Sequence, residues 1–152
     1  MIYLRYLRKV FRHKWFVLLE AWRLGIPWLG LIHDWSKLLP SELLPYARYF
    51  SGGDRTETMQ AAFDVAWLHH QHRNHHHWQR WLLTLDSARS DGKLLPLPMP
   101  DRYRREMLAD WRGAGRAYGN PDTRGWYLAN RDKMQLHPDT RQWIERQLGV
   151  RR

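Results

Sequence analysis

Apolar residues recur at intervals of three and four along most of this chain, which is the spacing of one face of an α-helix. In residues 3–24 this spacing collects mainly apolar residues on one stripe and leaves most of the arginines elsewhere. The stripe comprises Leu7, Val10, Phe11, Lys14, Leu18 and Ala21. No alternating run is long enough to predict a strand, and no internal repeat is visible. The pattern predicts an all-α fold, a compact bundle of about six to eight helices that forms one domain over residues 1–152.

Glycine and proline divide the helical pattern into segments. Gly25 ends the first helix, and Pro27 begins a short apolar helix that we expect to reach Lys37. Further helices are predicted over residues 40–50, 56–73, 126–134 and 138–148, and another begins at residue 101 with an end weakened by three glycines. Residues 74–85 are expected to continue the preceding helix after a bend, and residues 87–100 to form a loop beside a site.

The chain has no cysteine, which excludes a thiolate nucleophile and a cysteine-ligated zinc site. No secretory signal precedes the first helix, and the longest apolar stretch, residues 26–32, is too short to span a membrane. We therefore expect a cytoplasmic protein in a reducing compartment, without a membrane partner.

The formal net charge is +10, and a field of that sign attracts phosphate-bearing partners. Charge alone does not separate a nucleotide or another phosphorylated small molecule from a nucleic acid. The nine histidines are a stronger signal, because seven of them are His33 or lie between residues 69 and 77. Histidine is the commonest metal ligand in proteins, so this grouping indicates metal chemistry.

His33 and Asp34 are adjacent on a predicted helical turn, and Lys37 follows one turn later. An imidazole nitrogen and a carboxylate oxygen together suit Mn, Fe, Zn or Mg. The ammonium of Lys37 is placed to meet a substrate phosphate. The alternative interpretation is structural, with Asp34 capping a helix or pairing with Lys37.

Six histidines occur between residues 69 and 77, at the end of the predicted fourth helix and in its predicted continuation. On a continuous helix His70, Asn74 and His77 share one stripe, and a neighbouring stripe carries His69, His72 and His76. Each buried imidazole needs partners for its nitrogens, so such crowding favours metal ligation or proton transfer. The alternative is a polar surface face whose histidines bind nickel adventitiously.

His13 in the first helix and Asp110 in the helix after the loop are further candidates for burial beside a metal. Each lies among apolar neighbours, and each can instead be a structural residue at the boundary of the core. Glu20 shares the helix face of His13 and is a weaker candidate for an outer carboxylate. Arg116 follows the glycines after Asp110, where an arginine fork can grip a phosphate; the alternative is a solvated basic face.

The order of these groups resembles the HD superfamily of metal-dependent phosphohydrolases, whose helices supply a histidine, a His-Asp pair, paired histidines and a later aspartate. The segment from His33 to Lys37 is similar to the H-D-x-x-K form of some branches. The resemblance implies an HD-like helical bundle that holds one or more divalent metals. The primary ligands that it implies are His13, His33, Asp34 and Asp110. The residues that it implies for a second metal or for phosphate contact are His69, His70, His76 and His77.

The whole chain also looks like an uncharacterised family of small proteins from bacterial and phage genomes. The shared phrases include Arg12-His13-Lys14, His33-Asp34-Trp35-Ser36-Lys37, His76-His77-Trp78-Gln79 and Met107-Leu108-Ala109-Asp110-Trp111. This second resemblance implies no activity.

These observations favour a metal-dependent phosphohydrolase of HD type that acts on a nucleotide or another phosphorylated small molecule. Lys37 and Arg116 would hold the phosphate, and His70 or His77 would shuttle the proton of the leaving group. One alternative is an oxygen-activating di-iron site of the kind that some HD-type proteins carry. The other is a basic nucleic-acid-binding protein with structural histidines, although no helix-turn-helix, zinc-finger or RNP motif is visible.

Overall fold

The computed structural model of this chain describes residues 1–84 and 93–150, and it is built mainly from α-helices. Helix accounts for 73% of the described residues, which confirms the all-α prediction. The seven α-helices in this part of the chain are α1 (Ile2–Arg23), α2 (Pro27–Ile32), α3 (Pro40–Ser51), α4 (Glu57–Arg73), α5 (Asp101–Tyr118), α6 (Thr123–Asn130) and α7 (Pro138–Gln147). Short 3-10 helices cover Trp35–Leu38, Trp78–Trp81 and Arg131–Lys133.

The β-structure of the described residues is one antiparallel pair of short strands. Strand β1 (Leu82–Thr84) pairs with β2 (Leu94–Pro96), and Leu83 lies opposite Leu95. Strand β1 replaces part of the predicted continuation of α4, and β2 replaces part of the predicted loop. Residues 87–92 of that loop lie outside the described residues. Strands this short form no core of their own, so the fold depends on helix packing.

Local sequence explains where several helices begin and end. Pro27 and Pro40 occupy the first turns of α2 and α3, where the missing N–H leaves no hydrogen bond unmade. Thr56 caps α4 by accepting a hydrogen bond from the Met59 amide at 3.2 Å. Gly119 ends α5 with a φ of +84°, in the left-handed region that favours glycine.

Helices α1 and α5 pack closely against each other at Gly113. A Cβ atom on Gly113 would lie 2.7 Å from the backbone nitrogen of Val17, so this approach requires glycine. The helix continues past Gly113 to Tyr118 and ends at Gly119, one of the three glycines expected to weaken this end. The close approach brings His13 of α1 within hydrogen-bonding distance of Asp110 of α5.

Apolar side chains fill the space around this helix pair. Between α5, α6 and α7 the core contains Met107, Leu108, Tyr127 and Ile144. Between α1 and α3 it contains Tyr6, Val10, Tyr46 and Ala47. Burial of these side chains fixes the helices that carry the candidate site residues. None of the helices in the described chain is both long enough and apolar enough to cross a membrane.

The histidine-rich segment after α4 is not the helix that the sequence predicted. α4 ends at Arg73, and Asn74 is extended, with φ of −115° and ψ of 114°. The Asn74 side chain donates from Nδ2 to the His70 carbonyl at 2.8 Å and to Ser36 Oγ at 2.7 Å. These bonds satisfy the end of α4 and tie it to the segment after α2. The stripes expected of a continuous helix therefore do not form, and His70 and His76 are both buried.

Candidate metal centre

Histidine and acidic side chains from distant parts of the chain meet in one cluster. Its members are His13 from α1, His33 and Asp34 from the turn after α2, His70 from α4, His76 and His77 from the segment after α4, and Asp110 from α5. All but His77 and Asp110 are buried, with at most 4% of each residue exposed. Polar groups at this depth are unfavourable unless they are paired, so their mutual contacts decide what the cluster can do.

Asp34 has an unusual backbone that places its carboxylate among the histidines. Its φ of 54° lies in the left-handed region and is the one positive φ among the described non-glycine residues. α2 therefore ends at Ile32, and the prediction of a helix from Pro27 to Lys37 is wrong at this turn. A left-handed aspartate costs roughly 1–2 kcal/mol, and such strain is concentrated at functional sites.

The first group of candidate ligand atoms surrounds Asp34 Oδ2. His13 Nε2 lies 3.5 Å from this oxygen and 3.1 Å from Asp110 Oδ1. His33 Nε2 lies 3.3 Å from Asp34 Oδ2 and 3.4 Å from Asp110 Oδ1. The two Nε2 atoms are 3.4 Å apart. Four ligands that hold one ion at about 2.1 Å with tetrahedral angles are about 3.4 Å apart, so these distances fit a shared divalent ion.

The second group uses the other oxygen of Asp34. Asp34 Oδ1 lies 3.2 Å from His70 Nε2 and 3.5 Å from His76 Nε2. A ligand atom of His77 completes the group, within which all four atoms lie no more than 4.8 Å apart. Despite these short distances, Asp34 Oδ1 and the Nε2 atoms of the three histidines are buried and make no hydrogen bond of suitable geometry. Buried polar atoms are normally paired, and a metal ion between these four would pair them all.

Carboxylates on the outer side of the cluster orient its imidazoles. Glu106 Oε1 accepts a hydrogen bond from His33 Nδ1 at 3.1 Å and lies 3.2 Å from His76 Nδ1. Glu42 Oε2 accepts a hydrogen bond from His70 Nδ1 at 2.8 Å. Because an ionised carboxylate only accepts, Nδ1 of His33 and His70 carries a proton and Nε2 faces the cluster. Metal-binding histidines in proteins are held in the same way.

The charges of the cluster compensate one another. Burial opposes the ionisation of Asp34, but the charges of His33 and Lys37 hold the pKa of this carboxyl well below its usual value. Burial also opposes protonation of His33, yet the Asp34 charge and the hydrogen bond to Asp110 raise the pKa of this imidazole well above its usual value. The carboxylates are therefore ionised, and a metal ion that bound here would have to displace protons from imidazoles.

Lys37 lies at the edge of the first ligand group. Its Nζ donates to Asp34 Oδ2 at 2.6 Å, and 22% of its side chain is exposed. Burial lowers its pKa, but the charges of Asp34 and Asp110 outweigh burial and raise the pKa above the usual value. The ion pair considered from the sequence is thus present, and it leaves a permanent cation beside the candidate ligands.

A cavity of about 480 Å³ borders the cluster at His76, His77 and Asp110. Four indoles contribute to its lining: those of Trp67, Trp78, Trp111 and Trp126. Gln79 also lines this cavity, and its Oε1 is buried without a hydrogen-bond partner. The cavity therefore combines flat apolar surface with a few polar groups, next to the candidate ligands.

A second cavity, of about 510 Å³, borders the cluster at His13 and Lys37. Lys9 and Arg12 also line it. Both cavities include Trp67 and Tyr118 in their lining. The cluster is therefore reached from two directions, one of them lined by three cationic side chains.

Two residues that the sequence suggested for the site lie elsewhere. His69 precedes His70 in α4 but is exposed to solvent, so it belongs to neither ligand group. Arg116 donates to Glu20 Oε1 at 2.6 Å and lies over the ring of Phe16. The guanidinium of Arg116 therefore contacts side chains of α1. The Glu20 carboxylate pairs with this guanidinium and not with the imidazole of His13.

Glu106 and Glu42 are site residues that the sequence did not single out. Glu106 lies four residues before Asp110, the spacing that puts two side chains on one face of a helix, so a signal for it was present. Glu42 had no such signal, because its contact with His70 joins α3 to α4 across 28 residues of sequence.

Comparison with known proteins identifies the family of the chain. No curated protein and no solved structure gave a significant match. The sequence profile of a family of unknown function, DUF5662, matches residues 3–150. The expectation of an uncharacterised family is confirmed: the chain belongs to the DUF5662 family.

Proposed function

We propose that this protein is a metal-dependent phosphohydrolase that uses two divalent ions held around Asp34. The observation that carries the proposal is the division of one buried carboxylate between two groups of ligand atoms. Oδ2 lies among His13, His33 and Asp110, and Oδ1 lies beside His70, His76 and His77. A carboxylate that offers one oxygen to each of two ions suits the separation of roughly 3.5–4 Å found in two-metal phosphoryl-transfer sites.

Each group supplies at least two imidazole nitrogens beside carboxylate oxygen, a donor set that favours Mn, Fe or Zn over the oxygen-preferring Mg. The ligand order along the chain supports an HD-type assignment, with a helix histidine, the His33-Asp34 pair, later histidines and Asp110. The geometry supports a metal site independently of the sequence order, because the unpaired Nε2 atoms of the histidines lie around Asp34 Oδ1.

Bound ions would supply an activated water nucleophile at neutral pH and neutralise charge on phosphoryl oxygens. Side chains of the protein would position the ligands and bind the phosphate. Glu106 and Glu42 hold the imidazoles in position. Lys37 would donate to a phosphate oxygen while keeping its contact with Asp34. His77 borders both the cluster and the 480 Å³ cavity. Burial, together with the charges of His76 and His70, holds the pKa of its imidazole well below the usual value, so His77 would act as a neutral metal ligand beside the bound substrate.

The proposed substrate is a nucleotide or another phosphorylated small molecule with a planar ring. A cavity of about 480 Å³ falls in the size range of small-molecule sites. Indole faces bind planar rings well, and the net charge of +10 attracts an anion. The phosphate would lie at the metal centre and the ring would lie among the tryptophans.

The experiment measures phosphate release by protein made without a histidine tag, depleted of metal and reloaded with Mn, Zn, Mg or Fe. The substrates are a panel of nucleotides and an aryl phosphodiester. We expect turnover in the wild type, none after Asp34→Asn, and full turnover in the control Asp139→Asn, which changes an exposed aspartate. Equal activity of Asp34→Asn and wild type would refute the site.

Two other outcomes of this experiment would favour a different function. Coloured, iron-loaded protein that consumes oxygen and releases no phosphate would favour the di-iron oxygenase. Salt-sensitive binding of nucleic acid that is unchanged by removal of metal, with no turnover, would favour a basic nucleic-acid-binding protein.

A further inference from the structure

Helix α1 has an apolar face that the fold leaves uncovered. Four large side chains on it are 54–72% exposed: Leu4, Phe11, Trp15 and Trp22. At 3.6 residues per turn these positions fall within a sector of about 40° of the helix circumference. We call these four residues the outer stripe. The buried residues of α1 occupy the other side, and they are Tyr6, Val10, His13, Val17, Glu20 and Ala21.

The exposed charges of α1 are all positive. They belong to Arg5, Arg8, Lys9, Arg12 and Arg23. The single acid of the helix, Glu20, is 5% exposed and pairs with Arg23 and Arg116. Arg8 lies one turn from Leu4 and two turns from Trp15, so it borders the outer stripe. The surface of α1 thus combines tryptophan, phenylalanine and leucine with arginine and lacks exposed acid.

From this surface we infer that α1 binds peripherally to an anionic lipid bilayer. Tryptophan and phenylalanine would enter the boundary between headgroups and acyl chains, and arginines would contact lipid phosphates. The helix would lie in the plane of the bilayer, since no helix of the described chain can span it. The inference does not depend on the proposed enzymatic activity.

The positive charge of α1 favours an anionic bilayer over the other partners that could cover an apolar helix face. A second copy of the chain would bring the cations of two α1 helices together, in a protein whose net charge is already +10, and like charges oppose such contact. A nucleic acid would satisfy the arginines, but its phosphate backbone does not cover an apolar stripe. An anionic bilayer matches both the charge and the apolar side chains.

The test is flotation of the full chain with vesicles of phosphatidylcholine alone or of phosphatidylcholine mixed with phosphatidylglycerol. We expect binding to the mixed vesicles and much weaker binding to the neutral ones. Trp15→Ser combined with Trp22→Ser should reduce the vesicle-bound fraction at least about tenfold, because two anchoring indoles are lost. Arg8→Glu should reduce it roughly tenfold or more at low salt, since it reverses one charge beside the surface.

Matched controls make the result specific to α1. Val65→Ser combined with Leu68→Ser removes two exposed apolar side chains from α4, and Arg146→Glu makes the same charge reversal on the exposed surface of α7. Both should float like the wild type, and circular dichroism should show all variants folded. Absence of binding to anionic vesicles, or equal loss in the controls, would overturn the inference. A dimer that the outer-stripe variants dissociate, without vesicle binding, would assign the surface to a second copy instead.

Discussion

Replacing Asp34 by asparagine separates a metal-binding role of this residue from a structural one. Asparagine has the same size and populates the left-handed region readily, so it keeps the backbone φ of 54°. The side chain of Asp34 makes no capping hydrogen bond to the following 3-10 helix, so no cap is lost. The substitution therefore removes chiefly the negative charge that both ligand groups share.

Without added metal, the variant should be less stable than the wild type. Removing one partner of a buried ion pair costs up to about 3–5 kcal/mol. Lys37 keeps 22% of its side chain exposed, and the imidazoles can lose their protons, so we expect a smaller loss of about 2–3 kcal/mol. Asp34→Asn combined with Lys37→Met should recover part of it, because no unpaired ammonium remains.

With metal, the two proteins should diverge further. An ion present at about 1,000 times its dissociation constant stabilises the folded state by about 4 kcal/mol. For a chain of 152 residues each kcal/mol shifts the melting temperature by about 2–4 °C, so each ion should raise it by roughly 8–16 °C.

The assay is thermal unfolding followed by circular dichroism, with a chelator or with Mn, Zn, Mg or Fe. The wild type and the control Asp139→Asn should show the full metal-dependent rise, and Asp34→Asn should show little of it. A full rise in Asp34→Asn would refute the reasoning that this carboxylate is the shared ligand. A wild type that no metal stabilises would show that the cluster is a network of ion pairs only.

Three further substitutions test other parts of the account. Glu106→Gln removes the carboxylate behind two of the imidazoles and should weaken metal binding about 10–100-fold, measured by competition with a chelating dye, while the protein stays folded. Lys37→Met should leave the metal content unchanged but raise KM for a phosphorylated substrate, measured by steady-state kinetics, and a loss of metal instead would contradict its assigned position. Gly113→Ala should destabilise the fold by about 1–3 kcal/mol in urea unfolding, because the new Cβ meets the backbone of Val17; an unchanged midpoint would contradict the close packing of α1 and α5.

The helical fold was predictable because most segments keep a clear period and have their own boundary residues. Pro40 and Thr56 mark the starts of α3 and α4 within a residue of the prediction. The helix predictions were wrong where contacts with side chains from distant parts of the sequence determine the backbone conformation. At the end of α4, Asn74 donates a hydrogen bond to Ser36 Oγ, 38 residues away. No local sequence pattern predicts such a contact.

The candidate ligands were largely predictable from residue type and order, but their orientation was not. His13, His33, Asp34 and Asp110, which the sequence suggested as ligands, place ligand atoms within 4.8 Å of one another. The choice among the crowded histidines depended on a turn that helical periodicity could not predict, so His69 was included although it is exposed. The outer stripe of α1 was also not predicted, because periodicity grouped Phe11 with Val10 and Ala21 on one apolar stripe, whereas the structure leaves Phe11 54% exposed.

Manganese binding shows whether Asp34 links two metal ions. Protein made without a histidine tag is loaded with Mn, and metal content is measured alongside the electron paramagnetic resonance spectrum. We expect two Mn ions per chain, with a spectrum broadened by magnetic coupling through the shared carboxylate. Metal content near zero, or the uncoupled signal of isolated Mn at full loading, would contradict it.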